Sequence, residues 1–198
     1  MFEFIEHVIY INLDHRVDRR KQIETELSKY FSAEKIERFP AIRHSHGGVG
    51  CTQSHIAVLE MAISRGWKNY LVVEDDAIFS NFDKSYSLLE KLVQKQYDVI
   101  TLGTVYANYT PDMKLLSGQS GTAYIVQNHY YNTLLQNLQE GLNGFLITGK
   151  YSMYALDQYW KRIQPRDNWY CVIPSLMIQR PGYSDIERAV INNGMYFS

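Results

Sequence analysis

Five short apolar runs, dense in β-branched and aromatic residues, alternate along this chain with segments whose apolar residues recur at helical spacing. That alternation restricts the fold more than any single motif does. Residues 7–13 (HVIYINL), 70–74, 97–103, 121–126 and 169–173 read as strands. Between them Ile23, Leu27 and Tyr30/Phe31, then Ile56, Leu59 and Ile63, then residues 86–96, then Tyr131, Leu134 and Leu138 predict helices. Strand and helix in turn predict an α/β fold with one central, mostly parallel sheet. With 198 residues, no repeat and no low-complexity segment, the expectation is a single domain over 1–198.

Smaller features refine this layout. Asp18 suits the positive start of the first helix, as a cap or by charge. Residues 37–42 read as a short strand that Pro40 confines to an edge. A Gly-rich loop over 44–50 leads into a helix from Cys51, with Gly66 as its stop. Such a loop either cradles phosphate through backbone N–H groups or serves a tight turn and close packing. Residues 104–117 and the tail through 180–186 read as irregular, and a short helix over 152–160 contains Asp157.

Charge is balanced, 20 Lys+Arg against 21 Asp+Glu, which argues against a nucleic-acid partner. An anionic ligand must therefore be met locally. Among the 16 tyrosines some suit a sugar or nucleoside surface, while most are expected in packing. The N-terminus lacks a basic segment with a cleavage site, and no apolar run is long enough to span a bilayer. Cys51 and Cys171 sit in apolar settings as free thiols. A reducing, cytoplasmic location is the expectation.

The run Tyr70-Leu-Val-Val ends abruptly in three adjacent acids, Glu74, Asp75 and Asp76. Two readings stand: a solvated turn after a strand, or a site where a cation offsets their mutual repulsion. In open α/β sheets ligands bind beyond the carboxyl ends of strands, where these acids, Asn12 and Asp14 all lie.

Five blocks bear on the choice. They are residues 10–20 (YINLDHRVDRR), 50–55 (GCTQSH), 71–77 (LVVEDDA), 121–126 (GTAYIV) and 184–186 (SDI). In this order they resemble glycosyltransferase family 25, which includes lipopolysaccharide β-galactosyltransferases and procollagen galactosyltransferases. The resemblance implies a GT-A, Rossmann-like nucleotide-sugar transferase fold, a UDP-sugar donor, Mn²⁺ or Mg²⁺, and inversion at the anomeric carbon. It gives Glu74-Asp75-Asp76 the place of the family's DxD-like element. Asp76 is then the main metal ligand, Glu74 faces the same side, and Asp75 points elsewhere if strand geometry persists.

By the same resemblance Asp157 is the base that takes the acceptor's proton, set against a plain helix-capping acid. Asn12, Arg16 and Arg19 match the first block and help hold the nucleotide, with Arg16 as the charge-assisted contact, or they are ordinary helix residues. Ser54 and His55 match the second block, as donor contacts or packed structural groups. Gln179, Ser184 and Asp185 match the last and close the site over diphosphate or metal. All six histidines precede residue 130, so the late histidine of many GT-A enzymes is absent. Asp185, Gln179 or water is left to complete the metal shell. His44 and His46 form an HxH pair and read as loop residues.

The implied acceptor is a hydroxyl of a glycan or of a hydroxylysine-type, collagen-like chain, with any lipid-linked acceptor met at the membrane surface. Two alternatives belong to other classes: a catalytically silent binding or scaffold protein, and a metal-dependent phosphohydrolase.

Overall fold

The computed structural model describes residues 1–198. In chain order the elements are β1 (His7–Asn12), α1 (Val17–Leu27), β2 (Ile36–Pro40), α2 (Gly47–Arg65), β3 (Asn69–Glu74), β4 (Ala77–Phe79), α3 (Phe82–Leu92), β5 (Val99–Thr101), β6 (Val105–Tyr109) and β7 (Leu115–Gln119). They continue with β8 (Ala123–Gln127), α4 (Tyr131–Thr148), the single turns α5 (Tyr151–Tyr154) and α6 (Leu156–Tyr159), β9 (Trp169–Cys171), β10 (Met177–Gln179), β11 (Gly182–Ser184) and β12 (Ala189–Ile191).

Six strands form the central sheet in the order β2-β1-β3-β8-β5-β9. β1 pairs in parallel with both β2 and β3, and β5 with β9; only β8 runs against its neighbours. Five strands therefore end on one side, the mostly parallel sheet that the alternation predicts.

The period-2 pattern of the strands sorts the core into two layers. Ile9, Ile11, Tyr70, Val72, Tyr124 and Val126 face α2 and α4, meeting Ile56, Leu59, Leu134 and Leu138. Val8, Tyr10, Leu71, Val73, Ala123 and Ile125 face the other way, onto Ile23 and Leu27 of α1 and Leu89 and Leu92 of α3. Helices cover both faces, as buried parallel strands require.

Several local expectations are corrected. The glycines at 47, 48 and 50 belong to α2 rather than to a loop before it. Poor helix formers are tolerated there because the backbone must come close to its neighbours: a Cβ on Gly50 would collide with the Ile42 carbonyl oxygen. Gly66 does end the helix, at φ 66°. Asp18 lies in the first turn of α1, and the cap position is Arg16. α3 starts at Phe82 rather than 86. Residues 104–117 hold β6 and most of β7, an irregular antiparallel hairpin. The tail carries β10, which pairs with β4, and the hairpin β11–β12. No helix is long and apolar enough to cross a membrane.

These additions position the site. β4–β10 extends from the end of β3, and the β11–β12 hairpin lies across the carboxyl ends of β1 and β3. Arg16, at the cap position of α1, and Arg19 within it hold the hairpin there through the Tyr183 carbonyl oxygen, at 3.2 and 2.7 Å.

Candidate active site

β3 remains extended only as far as Glu74; Asp75 and Asp76 form a turn before β4. The turn breaks the strand's alternation, so Asp75 does not point away from Asp76 as persistent strand geometry would require. Both carboxylates meet one guanidinium, with Arg19 Nη1 2.9 Å from Asp75 Oδ1 and 3.0 Å from Asp76 Oδ2. Asn12, buried at the end of β1, donates its amide to Asp75 Oδ2 at 2.7 Å.

Asp76 is the more strained of the two electrostatically. Its Oδ1 is buried with no hydrogen-bond partner. Burial, then repulsion from Glu74, overcomes the pull of Arg19 and pushes its carboxyl up to about 7. Burial also raises Asp75, against Asn12 and Arg19. A buried, partnerless carboxylate oxygen beside a second carboxylate is an arrangement that a hard divalent cation satisfies, so the residues present fit Mn²⁺ or Mg²⁺.

Glu74 turns to α2. His55 Nε2 and Cys51 Sγ each lie 3.7 Å from its Oε1, and Gln179 donates to its Oε2 at 3.3 Å. Burial alone would raise the Glu74 carboxyl, but His55 and Gln179 outweigh it and hold it below the ordinary value. Gln179 is itself fixed by the Asn193 amide at 3.0 Å.

A cleft of about 580 Å³ runs over these groups. It collects Arg19, Ser54, His55, Glu74, Asp75, Asp76, Gln179, Ser184 and Asp185, drawn from the first 76 residues and from residues 179–185. Ser54 and Ser184 are spent on structure within it: the Ser54 hydroxyl accepts the Ile42 N–H and donates to the Gly50 carbonyl, and the Ser184 hydroxyl accepts the Glu187 N–H. Asp185 has Arg16 on one oxygen and His15, at 3.2 Å, on the other. Arg16 also binds Asp18 at 2.9 Å, so its charge is already met by protein carboxylates. Asp185 therefore ties the β11–β12 hairpin to α1.

Asp157 lies in an adjoining hollow of about 340 Å³ that shares Cys51, Glu74, Gln179, Ser184 and Ile186 with the cleft. Its carboxylate does not cap α6; Oδ2 accepts the Ser120 N–H at 3.0 Å. Burial pushes its carboxyl up, with Ser120 and Lys161 opposing and Glu74 adding to the rise. Tyr106, Tyr151 and Tyr196 line the same hollow.

Sequence reading missed several lining groups. Arg43 and Arg188 bring positive charge to the cleft and His15 adds its imidazole, and no pattern in the chain marks them as a set. Cys51 was open to detection, because Cys51 and His55 are one helical turn apart. His44 and His46 do not converge: the His44 ring accepts the His46 N–H, and the His46 ring packs on Phe145.

The family model described as glycosyltransferase family 25 (LPS biosynthesis protein) matches residues 43–168, and the chain belongs to that family. Among solved structures it is similar to a glycosyltransferase involved in the glycosylation of the major capsid of PBCV-1. The TM-score is 0.59 at 9% identity, covering 92% of this chain and 95% of that one. The match is one of fold, and it agrees with the mixed α/β architecture and its mostly parallel central sheet. It also matches A197 from STIV at a TM-score of 0.48, 13% identity and 94% and 93% coverage, too loosely to bear on function. No curated protein sequence matches. The chain is a glycosyltransferase.

Proposed function

We propose that this glycosyltransferase moves a hexosyl group, galactosyl or glucosyl, from a UDP-sugar to a glycan hydroxyl with inversion, in a reaction dependent on Mn²⁺ or Mg²⁺. The observation that carries this reading is the partnerless, buried Asp76 Oδ1 beside Glu74, at the end of β3 and under a cleft with a basic rim. Asp76 and Glu74 would hold the cation, which when bound offsets the charge gathering on the departing diphosphate.

The chain's own residues supply the rest. Asn12 and Arg19 fix the acidic turn, and Arg43 and Arg188 present positive charge to the phosphates. His55 and Gln179 orient Glu74. Asp185 and Arg16 act as a clasp that keeps the hairpin over the donor, and we assign Asp185 this role rather than that of metal ligand. Ser54 and Ser184 shape the cleft.

Asp157 takes the proton of the acceptor hydroxyl. The new bond forms to the anomeric carbon as the bond to the diphosphate oxygen breaks on the opposite face, and UDP leaves. The tyrosines of the hollow give the acceptor sugar apolar faces to lie on.

Asp157→Asn tests the assignment. Donor affinity should stay within about twofold while kcat falls by at least about 10²-fold, the usual worth of a general base. Chromatographic analysis of the sugar product separates transfer from hydrolysis. Turnover near that of the wild type would assign the proton to another group.

A further inference from the structure

Cys51 and His55 project from successive turns of α2, and the end of β3 brings Glu74 against both. Cys51 Sγ and His55 Nε2 each stand 3.7 Å from Glu74 Oε1, and all three atoms lie within 4.8 Å of one another. Zinc bonds of about 2.0–2.3 Å in tetrahedral geometry separate the ligand atoms by roughly 3.3–3.7 Å. Two edges of the triangle already have that length.

An independent observation concerns His55. Its side chain is 1% exposed, and Nε2 has no hydrogen-bond partner. Nδ1 lies 2.9 Å from the Tyr124 hydroxyl. In the tautomer that donates Nδ1–H to that oxygen, the one a bound ion would select, Nε2 offers its lone pair on the side of Glu74 and Cys51, as a ligating histidine fixed from behind does. Gly121 keeps the neighbouring space unfilled, since a Cβ there would stand 3.3 Å from Glu74 Oε1 and 3.5 Å from His55 Nε2.

We propose that Cys51, His55 and Glu74 form a site for a zinc-class divalent ion, with the fourth coordination position facing the cleft that all three residues line. Sulfur and nitrogen donors distinguish it from the oxygen site at Asp76, so it selects a softer ion. On binding, the Cys51 thiol loses its proton to solvent as the sulfur–metal bond forms, and water takes the fourth position. Because Glu74 belongs to both sites, zinc inhibits transfer supported by Mn²⁺. That consequence rests on the function proposed above; the site itself does not.

Cobalt(II) is the probe, titrated without substrate into the reduced, metal-free full-length chain. Saturation at one ion per chain is expected, with visible bands of a tetrahedral ion, a near-ultraviolet thiolate charge-transfer band, and displacement of both by zinc. Cys51→Ser should remove the charge-transfer band and weaken binding by more than about tenfold. Cys171→Ser should change neither, since that thiol lies elsewhere, 3.7 Å from the Met113 carbonyl oxygen. Circular dichroism checks the fold of each variant. Should Cys51→Ser fail to fold, His55→Gln serves in its place, with the same loss of affinity expected. Absence of the thiolate band in the wild type, or its survival in Cys51→Ser, would overturn the proposal. Neither result depends on whether the chain transfers sugar.

Discussion

Asp76→Asn is expected to yield a metal-free protein that melts higher than the wild type at pH 7 and transfers essentially no sugar. The carboxyl of Asp76 rises to about 7 in the folded chain because of burial and repulsion from Glu74. In the unfolded chain it titrates near about 3.9. Between those values the folded state binds the proton more tightly, so this group's contribution to stability falls as pH climbs from about 4 to about 7. At pH 7 the penalty is on the order of 1 to 4 kcal/mol for a side chain only 12% exposed. Asparagine removes it, so the stability difference between variant and wild type should grow across that window and vanish below it. Thermal melts from pH 4 to 8 in chelator measure this difference. The same substitution takes a charged oxygen from the diphosphate site, and kcat should fall on the order of 10³-fold. A variant that is less stable at pH 7, or active, contradicts the role given to Asp76.

Arg19→Ala should have the opposite effect on stability. Arg19 is the cation against both Asp75 and Asp76, whose side chains are 9% and 12% exposed. Removing one partner of a buried pair leaves the other charge uncompensated, at a cost of about 3–5 kcal/mol. In a chain of this size that lowers the melting temperature by roughly 6–20 °C. A divalent ion bound by the same carboxylates supplies positive charge in place of the guanidinium, so millimolar Mn²⁺ should restore much of the loss and stabilise the variant more than it stabilises the wild type. In an Asp76→Asn background the same Arg19 substitution should cost less, which a double-mutant cycle reads directly. Equal loss with and without Mn²⁺ would mean that Arg19 matters for packing and not for charge.

Much of the scaffold is legible in the chain because burial imposes a period on it. Tyr70 and Val72 face one layer and Leu71 and Val73 the other, and the sequence alternates to match. The helix faces and the stop at Gly66 follow from equally local rules. Less legible are elements that exist through distant partners. β6 and β7 pair with each other irregularly, and remote residues bridge to the hairpin, Phe197 to Val105 of β6 and Tyr170 to Lys114 just before β7. The glycines opening α2 resist reading for the same reason, since what favours helix there is close packing against Ile42 and Tyr151 and not intrinsic propensity.

The site divides along the same line. Its acids, Asp157 and the Ser184-Asp185 pair stand out as residues, but their grouping depends on one turn. Because β3 stops at Glu74, Asp75 and Asp76 swing onto Arg19 while Glu74 stays with Cys51 and His55. Strand alternation carried past Glu74 misplaces Asp75. Arg43 and Arg188, which make the rim basic, and His15 come from three separate segments, and only the folded chain brings them to one cleft.

Calorimetric titration of UDP into the wild type and Asp76→Asn, each with Mn²⁺ and with chelator, addresses the acidic turn as the metal–diphosphate anchor. Mn²⁺ should tighten UDP binding to the wild type by at least about tenfold, or about 1.4 kcal/mol, and leave binding to Asp76→Asn unchanged. Binding of UDP to the wild type that is indifferent to Mn²⁺, or a full Mn²⁺ effect retained in Asp76→Asn, would contradict it.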